Sequence, residues 1–131
     1  MRVVFDTNIF VSAFAIPGSR AEEAIRRVVS GHDSLIISKA ILEELLTTLA
    51  RKFSRDQEEL AHVAVFLAEI GTVVHPKRRV RILKDDPDNR VLECAVAGRA
   101  DAVVTGDRAI LSLGQHHEIP IFTLATYLAL P

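Results

Sequence analysis

The chain has 131 residues, of which 49% are hydrophobic and 25% are charged, and its formal net charge is −1. This composition excludes a disordered chain, and the length predicts one compact unit covering residues 1–131. The small net charge excludes the global basic field that many nucleic-acid binders carry.

No stretch approaches the ~20 apolar residues that a membrane-spanning helix requires, and the first residues lack the pattern of a secretory leader. We therefore expect a cytoplasmic protein without membrane contact. The one cysteine, Cys94, cannot form an internal disulfide and is expected to be a small buried side chain. The five histidines are expected not to bind metal, because the one adjacent pair, His116-His117, lacks the i, i+4 spacing of a helical zinc pair.

The chain begins with a predicted strand, turn and helix. The apolar run Val3–Phe5 predicts a buried strand that ends at Asp6, and apolar residues then recur at helical spacing until Pro17-Gly18. A Ser-x-x-Glu capping box that starts at Ser19 predicts a second helix running to about Ser30.

A second strand and a helical hairpin are predicted next. Leu35–Ile37 is typical of a buried strand, and an amphipathic leucine pattern from Ser38 predicts a helix ending near Phe53. Another capping box, starting at Ser54, predicts a helix that continues to Gly71.

The last part of the chain predicts three more strands. Residues 72–74 favour a weak strand, and a basic stretch and an acidic turn follow it. Pro87 favours an extended residue before it, and Asp88 is expected to cap the next helix. Ala102–Val104 predicts a strand followed by a short helix. Residues 119–122 predict an edge strand, since proline cannot donate to a ladder, and residues 124–130 a closing helix.

Alternating strands and helices predict an α/β fold class, a three-layer α/β/α sandwich with a central, mainly parallel β-sheet. Ligand sites in such sheets form outside the carboxyl ends of the strands. Four acidic residues follow strands or occupy the first turns of helices that lead from this edge, and we expect them to point at one crevice: Asp6, Glu44, Asp88 and Asp107.

Crowded carboxylates repel one another, and a divalent cation resolves that repulsion. Mg²⁺ prefers oxygen ligands, and it can polarise a phosphodiester and deprotonate a bound water. The four acids therefore predict a magnesium site that hydrolyses RNA by a metal-activated water. Thr7, Asn8 and Thr105 are expected to orient the carboxylates or the waters on the metal.

Each acid also has a simpler interpretation. Asp6, Asp88 and Asp107 could each serve only as the cap of a helix. Glu43 and Glu44 flank the apolar stripe of their helix equally, so periodicity leaves both open. The convergence of several acids on one sheet edge is what favours a functional site.

Local basic patches are the expected RNA contacts. Five cations lie within an eight-residue window, and they are Lys77, Arg78, Arg79, Arg81 and Lys84. We expect them to follow the RNA backbone, so that affinity weakens as salt rises, although a solvated loop rim is the alternative. Arg90, on the following helix, is a further candidate for phosphate contact.

Four segments carry a family resemblance that covers nearly the whole chain: residues Val3-Val4-Phe5-Asp6-Thr7-Asn8, Ser38 to Leu45, Asp86 to Ala95, and Ala100 to Asp107. With these segments the sequence resembles PIN domains, and among them the VapC-like toxins of toxin–antitoxin systems. The resemblance implies an α/β/α sandwich, Mg²⁺- or Mn²⁺-dependent cleavage of RNA, a homodimer and a cognate antitoxin.

The resemblance also implies a ligand set. Asp6 corresponds to the first ligand and Asp107 to the fourth, and Thr105 matches the hydroxyl that supports the site. Glu44 rather than Glu43 corresponds to the second ligand, because the family's glutamate precedes a leucine. The third falls on Asp88, with Asp86 as the fallback, because the acidic turn is one residue shorter than in the family's pattern.

Two other functions compete with a ribonuclease. One is a catalytically silent PIN-fold module that binds RNA or protein. The other is an aspartyl-phosphate phosphatase with Asp6 as nucleophile, which would want a second aspartate where this chain has Asn8. A dinucleotide binder is not expected, because no Gly-x-Gly-x-x-Gly follows the first strand.

Overall fold

The computed structural model describes residues 1–131 and contains six strands: β1 (Arg2–Phe5), β2 (Ser34–Ser38), β3 (Gly71–Val74), β4 (Ala102–Val104), β5 (Gln115–His116) and β6 (Ile119–Phe122). They lie in the spatial order β3-β2-β1-β4-β6-β5. All neighbours pair in parallel except β5, which runs antiparallel to β6. The sheet is therefore mainly parallel, as predicted.

Seven helices surround this sheet: α1 (Thr7–Ala15), α2 (Ala21–Val29), α3 (Lys39–Phe53), α4 (Gln57–Ile70), α5 (Asp86–Ala97), α6 (Arg108–Leu111) and α7 (Leu124–Leu128). The first four helices connect β1 to β2 and β2 to β3, whereas α5 leads back from β3 to β4. Because such crossovers are right-handed, the two sets cover opposite faces of the sheet. The predicted α/β/α sandwich is thus confirmed.

The core lies between the sheet and these helices. The β1 residues Val3, Val4 and Phe5 are fully buried, as the apolar run predicts. Phe5 meets Phe10 and Tyr127 edge-on, with both ring centroids 5.7 Å away. Burying each such aromatic ring contributes roughly 1.5–3 kcal/mol, so β1 is anchored firmly and the residue after it has a fixed position.

Both predicted capping boxes are wrong. Helix α2 begins at Ala21, and the Ser19 hydroxyl donates instead to the Ser12 carbonyl at 2.9 Å. Ser54 ends α3 in the left-handed conformation, with φ 51°, and Asp56 caps α4 by accepting from the Glu59 N–H at 2.9 Å. In both places a tertiary or turn contact takes the serine out of the cap.

Two further predictions are corrected at the other end of the chain. Asp88 does not cap α5, because Asp85 occupies the N-cap position and Asp88 lies inside the first turn. The strand at residues 119–122 is not at the edge, because the two-residue strand β5 pairs with its free side. Since β5 is so short, the periodicity of the sequence carries no signal for it.

Candidate active site

The carboxyl ends of β1 and β4 bring the segments of Asp6 and Asp107 side by side. Phe5 pairs with Val104, and the Asp6 N–H donates to the Val104 carbonyl at 2.9 Å. Asp6 and Thr105 therefore leave their strands at the same level of the sheet.

Thr105 holds the Asp6 carboxylate. Its hydroxyl donates to Asp6 Oδ2 at 2.6 Å and accepts from the Asp107 N–H at 3.0 Å. Although Asp6 occupies the N-cap position of α1, its side chain makes no capping hydrogen bond. Burial raises the pKa of Asp6, the Thr105 hydroxyl opposes that rise, and the nearby Asp107 adds to it.

Glu44, not Glu43, faces this pair. The Thr7 hydroxyl donates to Glu44 Oε2 at 3.2 Å. Burial raises the pKa of Glu44, the Thr7 hydrogen bond lowers it, and the charges of Asp6 and Asp85 raise it again. The Glu43 side chain is exposed and lies 3.7 Å from the Lys39 ammonium.

Asp88 is the most perturbed carboxyl group at this edge. Its pKa is raised to about 7, first by burial and then by the charges of Asp107, Asp85, Asp6 and Glu44. These four neighbours come from separate parts of the chain, so the rise in pKa places Asp88 among the other acids.

Asp86 has a different environment from Asp88. Its side chain is largely exposed, and its Oδ1 accepts from Arg90 at 3.1 Å and from Asn89 at 3.2 Å. Asp86 thus belongs to the outer surface of α5, whereas Asp88 is buried towards the acids.

Asp107 combines two of the roles that the sequence left open. It occupies the N-cap of α6, and its Oδ1 accepts from the Ile110 N–H at 3.0 Å. That contact uses one carboxylate oxygen and leaves Oδ2 for a second partner. Capping and metal binding are therefore compatible at this residue.

Sequence reasoning missed Asp85. This exposed residue is the N-cap of α5, has no capping hydrogen bond, and lies close enough to raise the pKa values of Glu44 and Asp88. Its position at the start of the Asp85-Asp86-Pro87-Asp88 turn is the sequence signal for a cap. The sequence prediction gave that role to Asp88 instead.

The predicted supporting and basic residues differ in their exposure and contacts. Asn8 is exposed on α1 and makes no side-chain hydrogen bond to any of the acids, unlike Thr7 and Thr105. The five cations from Lys77 to Lys84 are exposed. Arg90 is mostly buried, and its guanidinium lies 3.1 Å from Asp86 and 3.0 Å from Glu93.

The four predicted acids suit a hard divalent cation by their chemistry. All offer only oxygen ligands, and none forms an ion pair within the chain. Their mutual repulsion, which Asp88 shows most clearly, is what a cation would relieve. In this structure no three His, Cys, Asp or Glu side chains are grouped closely enough to hold one metal ion.

The fold defines an α/β protein of the parallel-sheet class, and its acidic residues influence one another at the carboxyl ends of the central strands. Within that class the family is shown by sequence. The chain belongs to the PIN-domain family, whose sequence model matches residues 2–109. The predicted resemblance to PIN domains is confirmed.

Among curated proteins, the chain is 25% identical over 117 residues to the uncharacterised protein MJ1680 of Methanocaldococcus jannaschii. The match covers 86% of this chain and 75% of that protein. No helix of the chain combines the length and the apolar character needed to cross a membrane.

Several solved structures share the fold. VapBC2 from Rickettsia felis, bound to a promoter DNA fragment, gives a TM-score of 0.67 at 15% identity, covering 94% of this chain and 98% of that one. VapBC-1 from Haemophilus influenzae gives 0.66 at 16%, covering 95% and 99%. VapC20 from Mycobacterium tuberculosis, described as a sarcin-ricin loop cleaving toxin, gives 0.63 at 17%, covering 90% and 98%.

Proposed function

We propose that the chain is a Mg²⁺- or Mn²⁺-dependent endoribonuclease that hydrolyses RNA phosphodiester bonds. One observation carries the proposal. Four carboxylates from separate segments raise the pKa of one another or of a shared neighbour at one sheet edge, and none has a cationic partner. Carboxylates crowded at one edge stay ionised at low energetic cost only when a cation binds between them.

Asp6, Glu44, Asp88 and Asp107 would hold the metal. When bound, the ion would supply charge neutralisation at the scissile phosphate and an activated water. Thr105 fixes Asp6, and the same hydroxyl receives the Asp107 N–H, so one side chain positions two of these acids. Thr7 does the same for Glu44. The threonines therefore keep the carboxylates oriented while they repel.

The proposed partners are RNA, a cognate antitoxin and a second copy of the chain. The fold similarity to VapBC2 and VapBC-1, two toxin–antitoxin complexes by their names, supports the antitoxin. The similarity to VapC20, described as a sarcin-ricin loop cleaving toxin, supports single-stranded or looped RNA as the substrate class. On this basis the chain is the toxin of a toxin–antitoxin pair.

Incubation of the purified protein with a mixed RNA pool, with Mg²⁺ or with EDTA, tests the proposal. The wild type should cleave only with Mg²⁺, and Asp6→Asn and Glu44→Gln should abolish cleavage. Glu43→Gln is the matched control and should retain it, because Glu43 faces solvent. Cleavage that survives EDTA, or an active Asp6→Asn variant, would overturn the proposal.

One observation favours a second candidate, a PIN-fold module that binds RNA or protein without cleaving it. No three acids are grouped closely enough to hold an ion in this structure. The same assay separates the two, because a silent module would bind RNA in EDTA and leave it intact in Mg²⁺.

A further inference from the structure

A continuous groove lies beside the acidic edge. Two adjacent cavities, of about 270 and 500 Å³, share residues 75–79 and Glu93 as lining. The first also reaches Ser38 and Lys39, where β2 ends and α3 begins. Since β2 pairs in parallel with β1, Ser38 lies at the level of Asp6 on the neighbouring strand, and adjacent strands are roughly 5 Å apart.

The basic loop, defined as residues 75–84, forms one wall of this groove. Its cations are exposed, and none of them forms an ion pair within the chain. Lys77, Arg78 and Arg79 line both cavities. These charges are therefore free to bind an anion.

The basic loop has no regular secondary structure, but hydrogen bonds to α5 hold its C-terminal part in place. Asn89, which is 2% exposed, accepts from the Leu83 N–H at 2.9 Å and the Ile82 N–H at 3.3 Å, and it donates to the Leu83 carbonyl at 3.1 Å. One buried amide thus satisfies three backbone groups of the loop.

Glu93 and Arg90 hold the loop at a second point, Val80. Glu93 Oε2 accepts from the Val80 N–H at 2.8 Å, and Arg90 donates to the Val80 carbonyl at 3.3 Å. The two side chains also pair with each other at 3.0 Å, so the buried charge of Glu93 is balanced. Arg90, a candidate phosphate contact by sequence, is therefore occupied in holding the loop.

We propose that this groove binds the phosphodiester backbone of single-stranded RNA through Lys77, Arg78 and Arg79, and that Asn89 and Glu93 are positioning residues that hold the basic loop in its binding conformation. The inference rests on the proposed ribonuclease function, which it extends by giving the RNA a path. Helix α5 then serves both parts of the site, with Asp88 among the acids and Asn89 beside it under the loop.

Position favours RNA over an acidic protein segment. The guanidinium groups of Arg78 and Arg79 can each bind the paired oxygens of a phosphate. The groove begins next to the acidic edge, so a strand lying in it would lead a phosphodiester towards the carboxylates. A loop that is already ordered loses little conformational entropy on binding, which is why its pins contribute to affinity.

Fluorescence anisotropy in EDTA, with a labelled single-stranded RNA of about 12 nucleotides, measures this binding without cleavage. Arg78→Gln/Arg79→Gln should weaken binding by about tenfold or more at low salt and lower the slope of log Kd against log salt by about 1.4. Arg51→Gln/Lys52→Gln removes the same charge from the exposed end of α3 and should leave both quantities nearly unchanged.

The positioning role needs a variant that keeps every cation. Asn89→Ala should raise Kd several-fold with an unchanged salt slope, and it should raise KM for cleavage while leaving kcat within about threefold. Arg78→Gln/Arg79→Gln, at exposed positions, keeps the groove testable should Asn89→Ala fail to fold by circular dichroism.

Equal Kd values for the groove variant and the Arg51/Lys52 control, or no RNA binding by the wild type, would overturn the groove. Poly-L-glutamate that displaces the RNA as well as unlabelled RNA of equal charge would overturn the choice of RNA. These failures are distinct from failure of the proposed function. An enzyme can cleave with an irrelevant groove, and RNA can bind in the groove of a protein that never cleaves.

Discussion

Asp86 and Asp88 lie two residues apart on α5 and have opposite electrostatic surroundings. Asp86 is exposed and accepts hydrogen bonds from Asn89 and Arg90. Asp88 is buried among acids and has a pKa of about 7. The same substitution should therefore stabilise the protein at Asp88 and not at Asp86.

In EDTA at about pH 8, Asp88→Asn should raise the free energy of unfolding by about 1–2 kcal/mol, because a repelled charge is removed. The folded-state pKa of Asp88 lies above the ordinary value of 3.8, so the folded wild type binds a proton more tightly than the unfolded chain. Wild-type stability thus increases as pH falls from about 7 to about 4, and the advantage of the variant shrinks over that range.

Asp86→Asn is the control. It should be neutral or slightly destabilising at about pH 8 and at about pH 4, since it loses an ion pair with Arg90. Urea denaturation of the three proteins measures the effect. A stabilisation by Asp86→Asn equal to that by Asp88→Asn would contradict the placement of Asp88 among the acids.

At the scale of elements, the close approach of α5 to β2 depends on Gly98. A Cβ added to Gly98 would lie 2.3 Å from Ile36 Cγ2, a buried branch on the central sheet. Gly98→Ala should therefore cost about 1–3 kcal/mol of stability by forcing α5 away from the sheet.

Gly106→Ala is the matched control, because a Cβ there would meet no atom within 4 Å. Thermal melts of the two variants in EDTA should show a lowered midpoint for Gly98→Ala alone. A normal midpoint for Gly98→Ala would mean that α5 is not packed as closely on β2 as the structure shows.

The elements also show what the sequence could predict. The buried strands β1, β2 and β4 and the helices α1 to α4 follow from apolar patterns, and their bounds agree with the prediction to within about two residues. Helix α5 begins at Asp86 rather than after Asp88. The motifs at Ser19 and Ser54 predict caps that tertiary and turn contacts prevent. A local motif competes with contacts that it does not encode.

The sequence predicts some residues of the candidate site, and contacts between distant segments decide the others. Asp6 and Asp107 could be placed at the sheet edge because each directly follows or nearly follows a strand. The choice of Glu44 over Glu43 by burial, the contribution of Asp85, and the engagement of Arg90 by Glu93 all depend on contacts between distant segments. Periodicity along one helix cannot supply such contacts.

At the scale of the whole molecule, a buried cluster around Asp33 joins the two ends of the chain. Asp33 accepts from the Tyr127 hydroxyl at 2.5 Å and from Arg27 at 3.1 Å, and the Met1 amino group lies 2.9 Å away. Burial alone would raise the pKa of Asp33, but these hydrogen bonds and charges outweigh it, so the pKa is lowered.

Asp33→Asn should lower the free energy of unfolding by about 3 kcal/mol at roughly pH 7, because it removes the buried carboxylate on which Arg27, Tyr127 and the Met1 amino group converge. Since the folded pKa lies below the ordinary value of 3.8, the contribution of Asp33 is present above about pH 4 and is lost as pH falls through the folded pKa. Asp101→Asn, which affects an exposed contact with the Arg2 N–H, should cost only about 1 kcal/mol. Denaturation curves that stay equally separated at low pH would exclude this electrostatic account.

The whole chain is nearly neutral, but its charges are segregated, with unpaired acids at the carboxyl edge of the sheet and unpaired cations in the basic loop beside it. A cation that binds only the folded acids stabilises the folded state by RT ln(1 + [L]/Kd), which is about 1.4 kcal/mol for Mg²⁺ at ten times its Kd. For a chain of this length that corresponds to a rise in melting temperature on the order of 5 °C relative to EDTA. The wild type and Glu43→Gln should show this rise, whereas Asp6→Asn and Glu44→Gln should lose most of it. A rise of equal size in all four proteins would place the magnesium elsewhere on the molecule and remove the physical basis for a metal-dependent reaction at this edge.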